Sequence, residues 1–280
     1  MNSVLNRKVI LSVAPVGQSE DSFPLSPKTP EQVAGSIAAC VREGASMAHL
    51  HPRDAVGKPA HDLGAFSRTL DLLQIEGADI IVQGSTGGLV TFSPEERSIT
   101  IGDPRVECAS LNLGSINYGK TVYANPFPDV EMWAGRMLER GVRPELQIFD
   151  IGMFTAAQRL ADKGLLAEPR IYCIVLGFEW GLPADAEMLE FAARRVPEGA
   201  MWGVIHHHMR NHDLLKLAVD MGATFVRVGF EDSIFGPTGA PAKTNVELVS
   251  AAAKMLSSYN GVSLATVDEA RQILGTTKRA

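Results

Sequence analysis

The sequence has 280 residues, 45% of them hydrophobic, with 26 lysines and arginines against 32 aspartates and glutamates. A chain of this length and composition buries a complete core, which excludes a wholly disordered protein. The formal net charge of -6 argues against a nucleic-acid partner, because such binders present a basic face. A small anionic ligand in a locally basic pocket stays compatible with this charge.

The cysteines and the absence of long apolar runs favour a cytoplasmic protein with no membrane partner. Cys40, Cys108 and Cys173 lie far apart without a CxxC pair, which predicts neither a disulfide framework nor a cysteine metal site. Each lies in an apolar stretch, so we expect all three to be buried. The N-terminus lacks the apolar core of a signal peptide, and no run of about 20 apolar residues exists to span a membrane.

Short apolar runs alternate with amphipathic segments along the whole chain. The first amphipathic segment opens on Thr29 with proline at its first position and closes at Gly44, as helices do. The apolar runs predict eight strands: Val9–Val16, Met47–His51, Asp79–Ser85, Cys108–Leu113, Glu145–Ile151, Arg170–Leu176, Met201–His206 and Thr224–Phe230. The predicted helices are Thr29–Gly44, Asp62–Gly77, a weaker Ser93–Gly102, Pro128–Gly141, Thr155–Gly164, Ala184–Val196, Asn211–Gly222 and Asn245–Tyr259.

Eight βα repeats without a linker predict a single (β/α)8 TIM barrel, an α/β fold. The alternative is an open doubly wound sheet, which usually carries a glycine-rich phosphate loop after its first strand. Here that turn, APVGQSED, contains one glycine, which favours the barrel. We expect one domain over residues 1–280, with a short C-terminal helical extension at Thr266–Gly275.

The second predicted strand ends in HLHPRD, which places His49 and His51 two residues apart. Side chains alternate between the two faces of a strand, so both imidazoles share one face while Ala48 and Leu50 face the helices. Active sites of such barrels lie at the C-terminal strand ends, and two imidazoles at this spacing give a metal two ligands. Two polar rim residues without a metal are the alternative on this motif alone.

The eighth predicted strand places Arg227, Gly229 and Glu231 on one face, opposite Val226 and Val228. Inward charges are costly to bury without partners. The Glu231 carboxylate is a candidate third ligand for a metal held by the two histidines, because only the first strand separates the second from the eighth in a closed barrel. Two histidines and one glutamate are a catalytic zinc set with open positions. The alternative is an Arg227–Glu231 ion pair with no metal.

The ends of the third and fourth strands carry polar groups suited to a carboxylate. Exposed backbone N–H groups and hydroxyls in the sequence QGSTGG form a nest for an anion, although a plain tight turn is the alternative. In the fourth strand two polar side chains share the face opposite Leu111 and Leu113. The candidate substrate-binding residues are Ser85, Thr86, Gly87, Gly88, Ser110 and Asn112.

Other histidines and one aspartate lie near predicted strand ends. The run His206–His208 follows the seventh strand, and we interpret it as a rim or ligand-contact feature in preference to a metal site. His61 and His212 are expected at the surface, near helix N-termini. Asp150 ends the fifth strand and is expected either to support a residue of the site from behind or to cap a helix.

The motifs HLHPRD, QGSTGG, ASLNLGS and RVGFEDS, in this order, resemble those of the β-keto acid cleavage enzymes, typified by 3-keto-5-aminohexanoate cleavage enzyme. The resemblance covers nearly the whole chain and implies a (β/α)8 barrel, a divalent metal that is usually zinc, and a homotetramer. It further implies the following roles: metal ligands His49, His51 and Glu231, a catalytic dyad of Arg227 and Asp232, and substrate contacts from Ser85, Gly88 and Ser110.

The resemblance implies that a β-keto acid and acetyl-CoA, the co-substrate, exchange to give acetoacetate and a new acyl-CoA. One place departs from the family: an acid that meets the substrate amino group follows the first strand of the type enzyme, where this chain has Gly17, Gln18, Ser19 and Glu20. We therefore expect an uncharged or anionic substrate tail. The alternatives are a zinc-dependent hydrolase or metal aldolase on the same barrel, and a non-catalytic keto-acid binder.

Overall fold

The computed structural model describes residues 7–18, 23–87 and 92–279. Strands and helices alternate along the chain. The strands are β1 (Arg7–Val13), β2 (Met47–Leu50), β3 (Ile81–Gly84), β4 (Cys108–Asn112), β5 (Ile116–Tyr118), β6 (Thr121–Tyr123), β7 (Arg143–Ile148), β8 (Ile171–Ile174), β9 (Met201–Ile205), β10 (Phe225–Val228) and β11 (Val262–Leu264). The helices are α1 (Pro30–Arg42), α2 (Leu63–Ile75), α3 (Pro94–Arg97), α4 (Phe127–Glu139), α5 (Met153–Asp162), α6 (Ala186–Ala193), α7 (Asp213–Asp220), α8 (Asn245–Ser257) and α9 (Val267–Leu274).

Eight parallel strands close into a barrel in the order β1-β2-β3-β4-β7-β8-β9-β10. The last strand pairs with the first, so that Ile10 lies opposite Phe225 and Val13 opposite Val228. Every barrel strand is completely buried except the first residues of β1, because helices cover its outer face and side chains fill its interior. The predicted (β/α)8 barrel is confirmed, and all eight predicted strands occur within a few residues of their expected bounds.

Local capping explains where the helices begin and end. The Thr29 hydroxyl accepts from the backbone N–H of Gln32, and the Gln32 side-chain oxygen accepts from the backbone N–H of Thr29. This reciprocal box and the proline at the first position start α1 as the sequence predicted. Thr266 starts α9 by the same device, and Gly275 ends it in the left-handed conformation.

Three local features differ from the sequence prediction. The short strand β11, which pairs with the start of β1, was not predicted. The segment Ser93–Gly102 is not one helix but two short turns, α3 and a 3-10 turn at Ile99–Gly102, because the helix breaks at Ser98. The antiparallel hairpin β5–β6 was not predicted. Its turn holds Gly119 at a φ of 54°, a conformation that favours glycine in a two-residue hairpin loop.

The core lies between the barrel and its helices. Trp133, Tyr172, Phe66 and Phe225 are among its largest completely buried side chains. The three cysteines are free and buried, as predicted, and burial raises the pKa of the Cys40 thiol to about 12. Among the helices of the described residues, none is both long and apolar enough to cross a bilayer.

Candidate active site

A cavity of about 660 Å³ opens at the C-terminal ends of the barrel strands. The end of β2 and the loop after β10 supply two histidines and a glutamate to it, β3 and β4 supply hydroxyls, and the β5–β6 hairpin contributes to its lining. Apolar side chains line part of it, among them Phe149, Val175, Phe178 and Ile205. Most of the predicted site residues line this cavity: His49, His51, Ser85, Gly87, Ser110, Asn112, Arg227, Glu231 and Asp232.

His49, His51 and Glu231 form a compact cluster on one side of the cavity. Their candidate ligand atoms lie within 4.8 Å of one another. Nε2 of His49 is 3.6 Å from Oε1 of Glu231, and Nε2 of His51 is 3.4 Å from Oε2. Both separations exceed the roughly 2.8 Å of a charge-assisted hydrogen bond, so the three groups surround a common point without bonding closely to one another.

Two atoms of this cluster are buried without a hydrogen bond. Nε2 of His51 and Oε2 of Glu231 have no such partner among the residues that the structure describes. A buried polar atom left unsatisfied costs about 1–3 kcal/mol, so a third group is needed to compensate both. Two imidazole nitrogens and a carboxylate facing an open cavity fit a divalent cation that keeps positions open for substrate.

A chain of hydrogen bonds fixes the orientation of the His49 ring. Its Nδ1 lies 2.8 Å from Oε1 of Gln83, and Nε2 of Gln83 donates to Oε2 of Glu145 over 2.8 Å. A carboxylate only accepts, so the Gln83 amide must present its oxygen to His49. His49 therefore carries its proton on Nδ1 and offers the Nε2 lone pair to the metal position.

A second chain orients His51 in the same way. The ring nitrogen Nδ1 of His61 bonds the Glu96 carbonyl over 3.1 Å, and the His61 Nε2 lies 2.9 Å from Nε2 of Gln18. The carbonyl accepts only, so the His61 Nε2 receives the amide N–H of Gln18, whose oxygen contacts Nδ1 of His51. His51 is thereby protonated on Nδ1 and directs its Nε2 lone pair at the cluster.

The electrostatics of the cluster suit metal ligation. Burial lowers the pKa of His49 to about 3, although the Glu231 charge opposes the shift, so the imidazole is neutral near pH 7. Burial raises the pKa of Glu231, but the positive charge around it, which Arg227 carries permanently, lowers the pKa further and keeps the carboxylate ionised. A metal binds neutral histidine and ionised glutamate, so His49 and Glu231 are in the required form.

Arg227 and Asp232 form a buried, two-pronged ion pair beside the cluster. The Arg227 Nε donates to one Asp232 oxygen over 2.8 Å and its Nη2 to the other over 2.7 Å. The same Nη2 lies 3.3 Å from Glu231, so the Arg227–Glu231 ion pair, which the sequence offered as the alternative to a metal site, exists together with the metal-compatible cluster. Burial raises the pKa of Asp232 to about 7, with Arg227 opposing the shift and Glu231 adding to it.

Gly229 explains how both acids of this loop reach the cavity. Its φ is 142°, and a Cβ at this position would lie 2.1 Å from the Ala14 carbonyl oxygen. The tight turn that follows is held by the N–H of Asp232 on the Gly229 carbonyl and the N–H of Glu231 on Ala14. Only glycine permits this backbone, which brings two consecutive acids to one side of the barrel.

The ends of strands β3 and β4 build a small polar nest beside the His51 ring. The Gly87 N–H donates to the Ser85 hydroxyl over 2.9 Å, and Ser110 lies beside them. Thr86 does not line the cavity. Its hydroxyl donates to the Ser110 carbonyl over 2.6 Å, and its N–H donates to the Ser110 hydroxyl. Thr86 therefore supports the nest by holding β3 and β4 together. Gly88 lies outside the described residues.

The β5–β6 hairpin is tied to the cavity through Asn112. The Asn112 amide donates to the Tyr123 hydroxyl over 2.8 Å. A Cβ on Gly87 would lie 2.9 Å from the same hydroxyl, so this glycine allows the hairpin to approach closely. The predicted substrate-contact residue Asn112 is thus also an anchor for the hairpin.

The remaining histidines are arranged differently from the prediction. His207 and His208 line the cavity, whereas His206 is buried outside it and packs against His212 with ring centroids 4.9 Å apart. His212 was predicted at the surface and is completely buried, because it fills a gap beside the His206 ring. His61 is half-buried and bonded to Gln18, also contrary to the prediction.

Asp150 caps the turn before α5 by accepting from the N–H of Gly152.

Three residues of the site escaped the sequence prediction. Gln83, Glu145 and Gln147 form a buried polar chain beneath His49, with Gln147 donating to Glu145 over 3.2 Å. A signal was present, because Glu145 and Gln147 alternate with Leu146 and Ile148 in the same period-two pattern that revealed the histidines.

Comparisons with known proteins show the family of this chain. A family model described as beta-keto acid cleavage enzyme matches residues 8–276. The chain belongs to the beta-keto acid cleavage enzyme family. It is 34% identical over 274 residues to a 3-keto-5-aminohexanoate cleavage enzyme of Fusobacterium nucleatum, covering 97% of this chain and 99% of that one.

A second relative of this chain is named for a different substrate. The chain is 30% identical over 277 residues to a 3-oxoadipate:acetyl-CoA acetyltransferase of Cupriavidus necator, covering 97% of this chain and 96% of the relative. Among solved structures, ObcA in a ternary complex with a C4-CoA adduct and oxalate superposes with a TM-score of 0.73 at 19% identity. That match covers 90% of this chain and 68% of ObcA, and it supports the barrel fold.

Proposed function

We propose that this protein is a zinc-dependent transferase that exchanges acyl groups between a β-keto acid and acetyl-CoA, releasing acetoacetate and a new acyl-CoA. The observation that carries the proposal is the juxtaposition, in one cavity, of the His49–His51–Glu231 cluster, the Arg227–Asp232 pair and the Ser85–Gly87 nest. The names of relatives that act on keto acids with acetyl-CoA also support it.

Each part of the cavity has a separate task in this reaction. The Ser85 and Ser110 hydroxyls hold the substrate carboxylate, and the Gly87 N–H fixes the Ser85 hydroxyl by donating to it. His49, His51 and Glu231 would hold a divalent metal, which would supply Lewis-acid polarisation of the keto oxygen. Asp232 takes the proton from the carbon between the two carbonyls, and Arg227 fixes the position of that carboxylate through both of its oxygens.

The bonds then change in two steps. The deprotonated carbon attacks the acetyl-CoA carbonyl, a carbon–carbon bond forms, and CoA leaves as a thiolate. The thiolate attacks the original keto carbonyl, the bond between that carbonyl and the former central carbon breaks, and the new acyl-CoA departs. The released carbanion regains the proton held by Asp232 and becomes acetoacetate. No oxidant or reductant is needed.

The cavity favours a substrate with an uncharged tail. Part of its lining is apolar, and Arg227 is the single arginine or lysine among the described lining residues, where it is already bound to Asp232 and Glu231. The undescribed segments 19–22 and 88–91 contain no lysine or arginine either. An anionic tail would therefore lie without a counter-charge, at a desolvation cost that an alkyl or aryl tail avoids.

The proposal is tested with zinc-loaded protein, acetyl-CoA and a panel of β-keto acids that differ only in tail charge. We expect acetoacetate and a new acyl-CoA in equal amounts, detected by mass spectrometry, with neutral tails giving the highest kcat/KM. An Arg227→Lys variant is the matched control, since it keeps a cation but loses the two-pronged grip on Asp232. Cleavage without acetyl-CoA would instead identify a hydrolase or an aldolase, and binding without turnover a sensor.

A further inference from the structure

Arg97 lies beneath the nest and is 5% exposed. Its Nε donates to the Thr86 carbonyl over 3.3 Å, its Nη1 to the Ala124 carbonyl over 2.6 Å, and its Nη2 to Oδ1 of Asn125 over 2.5 Å. The guanidinium thus joins the end of β3 to the segment that follows the β5–β6 hairpin.

The partners of Arg97 are all uncharged. None of the ion pairs in the described part of the chain includes it, and its guanidinium carbon instead lies 4.6 Å from the Trp133 ring centroid and 5.2 Å from that of Tyr123. Two other buried arginines have carboxylate partners, Asp232 for Arg227 and Glu107 for Arg271. Arg143, which is also buried, bonds the Pro169 carbonyl at the far side of the chain from the nest. A buried cation without a counter-ion is costly, so the position of Arg97 calls for an anion that the fold itself does not supply.

The hydrogen bond to Thr86 links this charge to the nest. The Thr86 carbonyl and the Gly87 N–H belong to one peptide group. That N–H points to the Ser85 hydroxyl at the edge of the cavity. A donor on the carbonyl side polarises the peptide and strengthens its N–H as a donor. The Ser85 hydroxyl accepts from this polarised N–H and is thereby a stronger donor to an anion in the nest, which also meets the field of the guanidinium.

We infer that Arg97 is the buried counter-charge for the substrate carboxylate and acts through the Thr86–Gly87 peptide as a positioning residue. The inference rests on the proposed function in that it takes a β-keto carboxylate as the ligand. It predicts that Arg97 raises the affinity for a carboxylate but not for a neutral group of the same shape. An arginine that only held two segments together would affect both affinities equally.

The test compares acetoacetate with acetylacetone, a ligand of nearly equal size. In acetylacetone a methyl group replaces one oxygen of the carboxylate, so the negative charge is absent. Calorimetric affinities are measured on zinc-loaded wild type, Arg97→Gln and Arg97→Lys, with metal content determined in each sample. We expect Arg97→Gln to bind acetoacetate about tenfold more weakly or worse and acetylacetone within about twofold of wild type. Arg97→Lys keeps the charge and should keep most of the acetoacetate affinity.

A second variant keeps Arg97 and neutralises it in place. Asn125→Asp puts a carboxylate where Oδ1 already accepts from the guanidinium, and it should weaken acetoacetate selectively even if Arg97→Gln does not fold. The inference would be overturned if these variants lost the same affinity for acetoacetate as for acetylacetone. It would also be overturned if Asn125→Asp and Arg97→Gln both kept the wild-type affinity for acetoacetate. Because binding is read without acetyl-CoA, failure of the acyl exchange leaves this result interpretable on its own.

Discussion

Nε2 of His51 and Oε2 of Glu231 lie 3.4 Å apart in the barrel mouth, and neither accepts or donates a hydrogen bond within the described residues. One side chain leaves strand β2 and the other follows strand β10. The fold brings them together by barrel closure across β1 and aims both at the point that His49 also faces. The first prediction follows directly from this arrangement.

Removing a ligand should abolish metal binding. His51→Ala and Glu231→Gln are each expected to reduce the zinc retained after dialysis from about one ion per chain to less than about a tenth. His208→Ala is the matched control, because this histidine lines the same cavity outside the cluster. Elemental analysis by mass spectrometry measures the content, and full retention in His51→Ala would refute the assigned ligand set.

The two amides behind the histidines should tune metal affinity. Gln83→Ala and Gln18→Ala each remove the acceptor that holds a ring proton on Nδ1, and we expect zinc affinity to fall by about 10–100-fold. Gln158→Ala, an exposed residue on α5, serves as control. Competition with a fluorescent zinc chelator measures the affinity. Wild-type affinity in both amide variants would show that ring orientation is set elsewhere.

Asp232→Asn should remove proton exchange at the central carbon of a β-keto acid while zinc stays bound. The amide cannot accept that proton, and loss of a positioned base typically costs 10²–10⁴-fold, so we expect at least about a hundredfold decrease. Proton NMR in D2O follows the exchange of acetoacetate, after subtraction of the uncatalysed rate. Retained exchange in a zinc-loaded variant would exclude Asp232 as the base.

Gly229→Ala should destabilise the fold and disturb the acidic loop. A positive φ and a Cβ 2.1 Å from the Ala14 oxygen lead us to expect a loss of about 2–4 kcal/mol in the free energy of unfolding. Gly35→Ala is the control, since this exposed position in α1 has no atom within 4 Å of an added Cβ. There we expect a gain of about 0.5–1 kcal/mol in urea unfolding. Similar effects at both positions would contradict the assigned strain.

The buried His206–His212 pair should make the fold sensitive to acid. Burial lowers both pKa values from 6.5 to about 4, so the histidines contribute stability above pH 6.5 that is lost as the pH falls towards 4. His212→Leu removes one titrating ring. Between pH 7 and pH 5 the wild type should lose about 1–2 kcal/mol more stability than this variant, measured by urea unfolding at each pH. Parallel pH profiles would show that His212 does not titrate in this range.

Strand periodicity accounts for most of what the sequence could predict about the site. Alternation placed His49, His51 and Arg227 on the inner face, and all three line the cavity. Glu231 was assigned to the same face by extending that alternation beyond the end of β10. It does reach the cavity, but through the turn at Gly229 and not through a continuing strand.

Interactions between distant segments were beyond the reach of periodicity. The contact of Gln18 with His61 joins the loop after β1 to the segment before α2, and no local pattern connects them. The burial of His212 depends on where the His206 ring lies, and His208 leaves strand geometry with a φ of 50°. By contrast, Glu145 was detectable, since it alternates with leucine and isoleucine in a buried strand.

The fate of an isotope label tests the central claim most directly. Acetyl-CoA carrying ¹³C at both acetyl carbons is incubated with zinc-loaded protein and an unlabelled β-keto acid with a neutral tail. We predict that both labels appear in the two acetoacetate carbons farthest from the carboxylate and that the new acyl-CoA is unlabelled. Label recovered only as free acetate, or acetoacetate without label, would show that no carbon–carbon bond forms between the substrates and would contradict the proposed exchange.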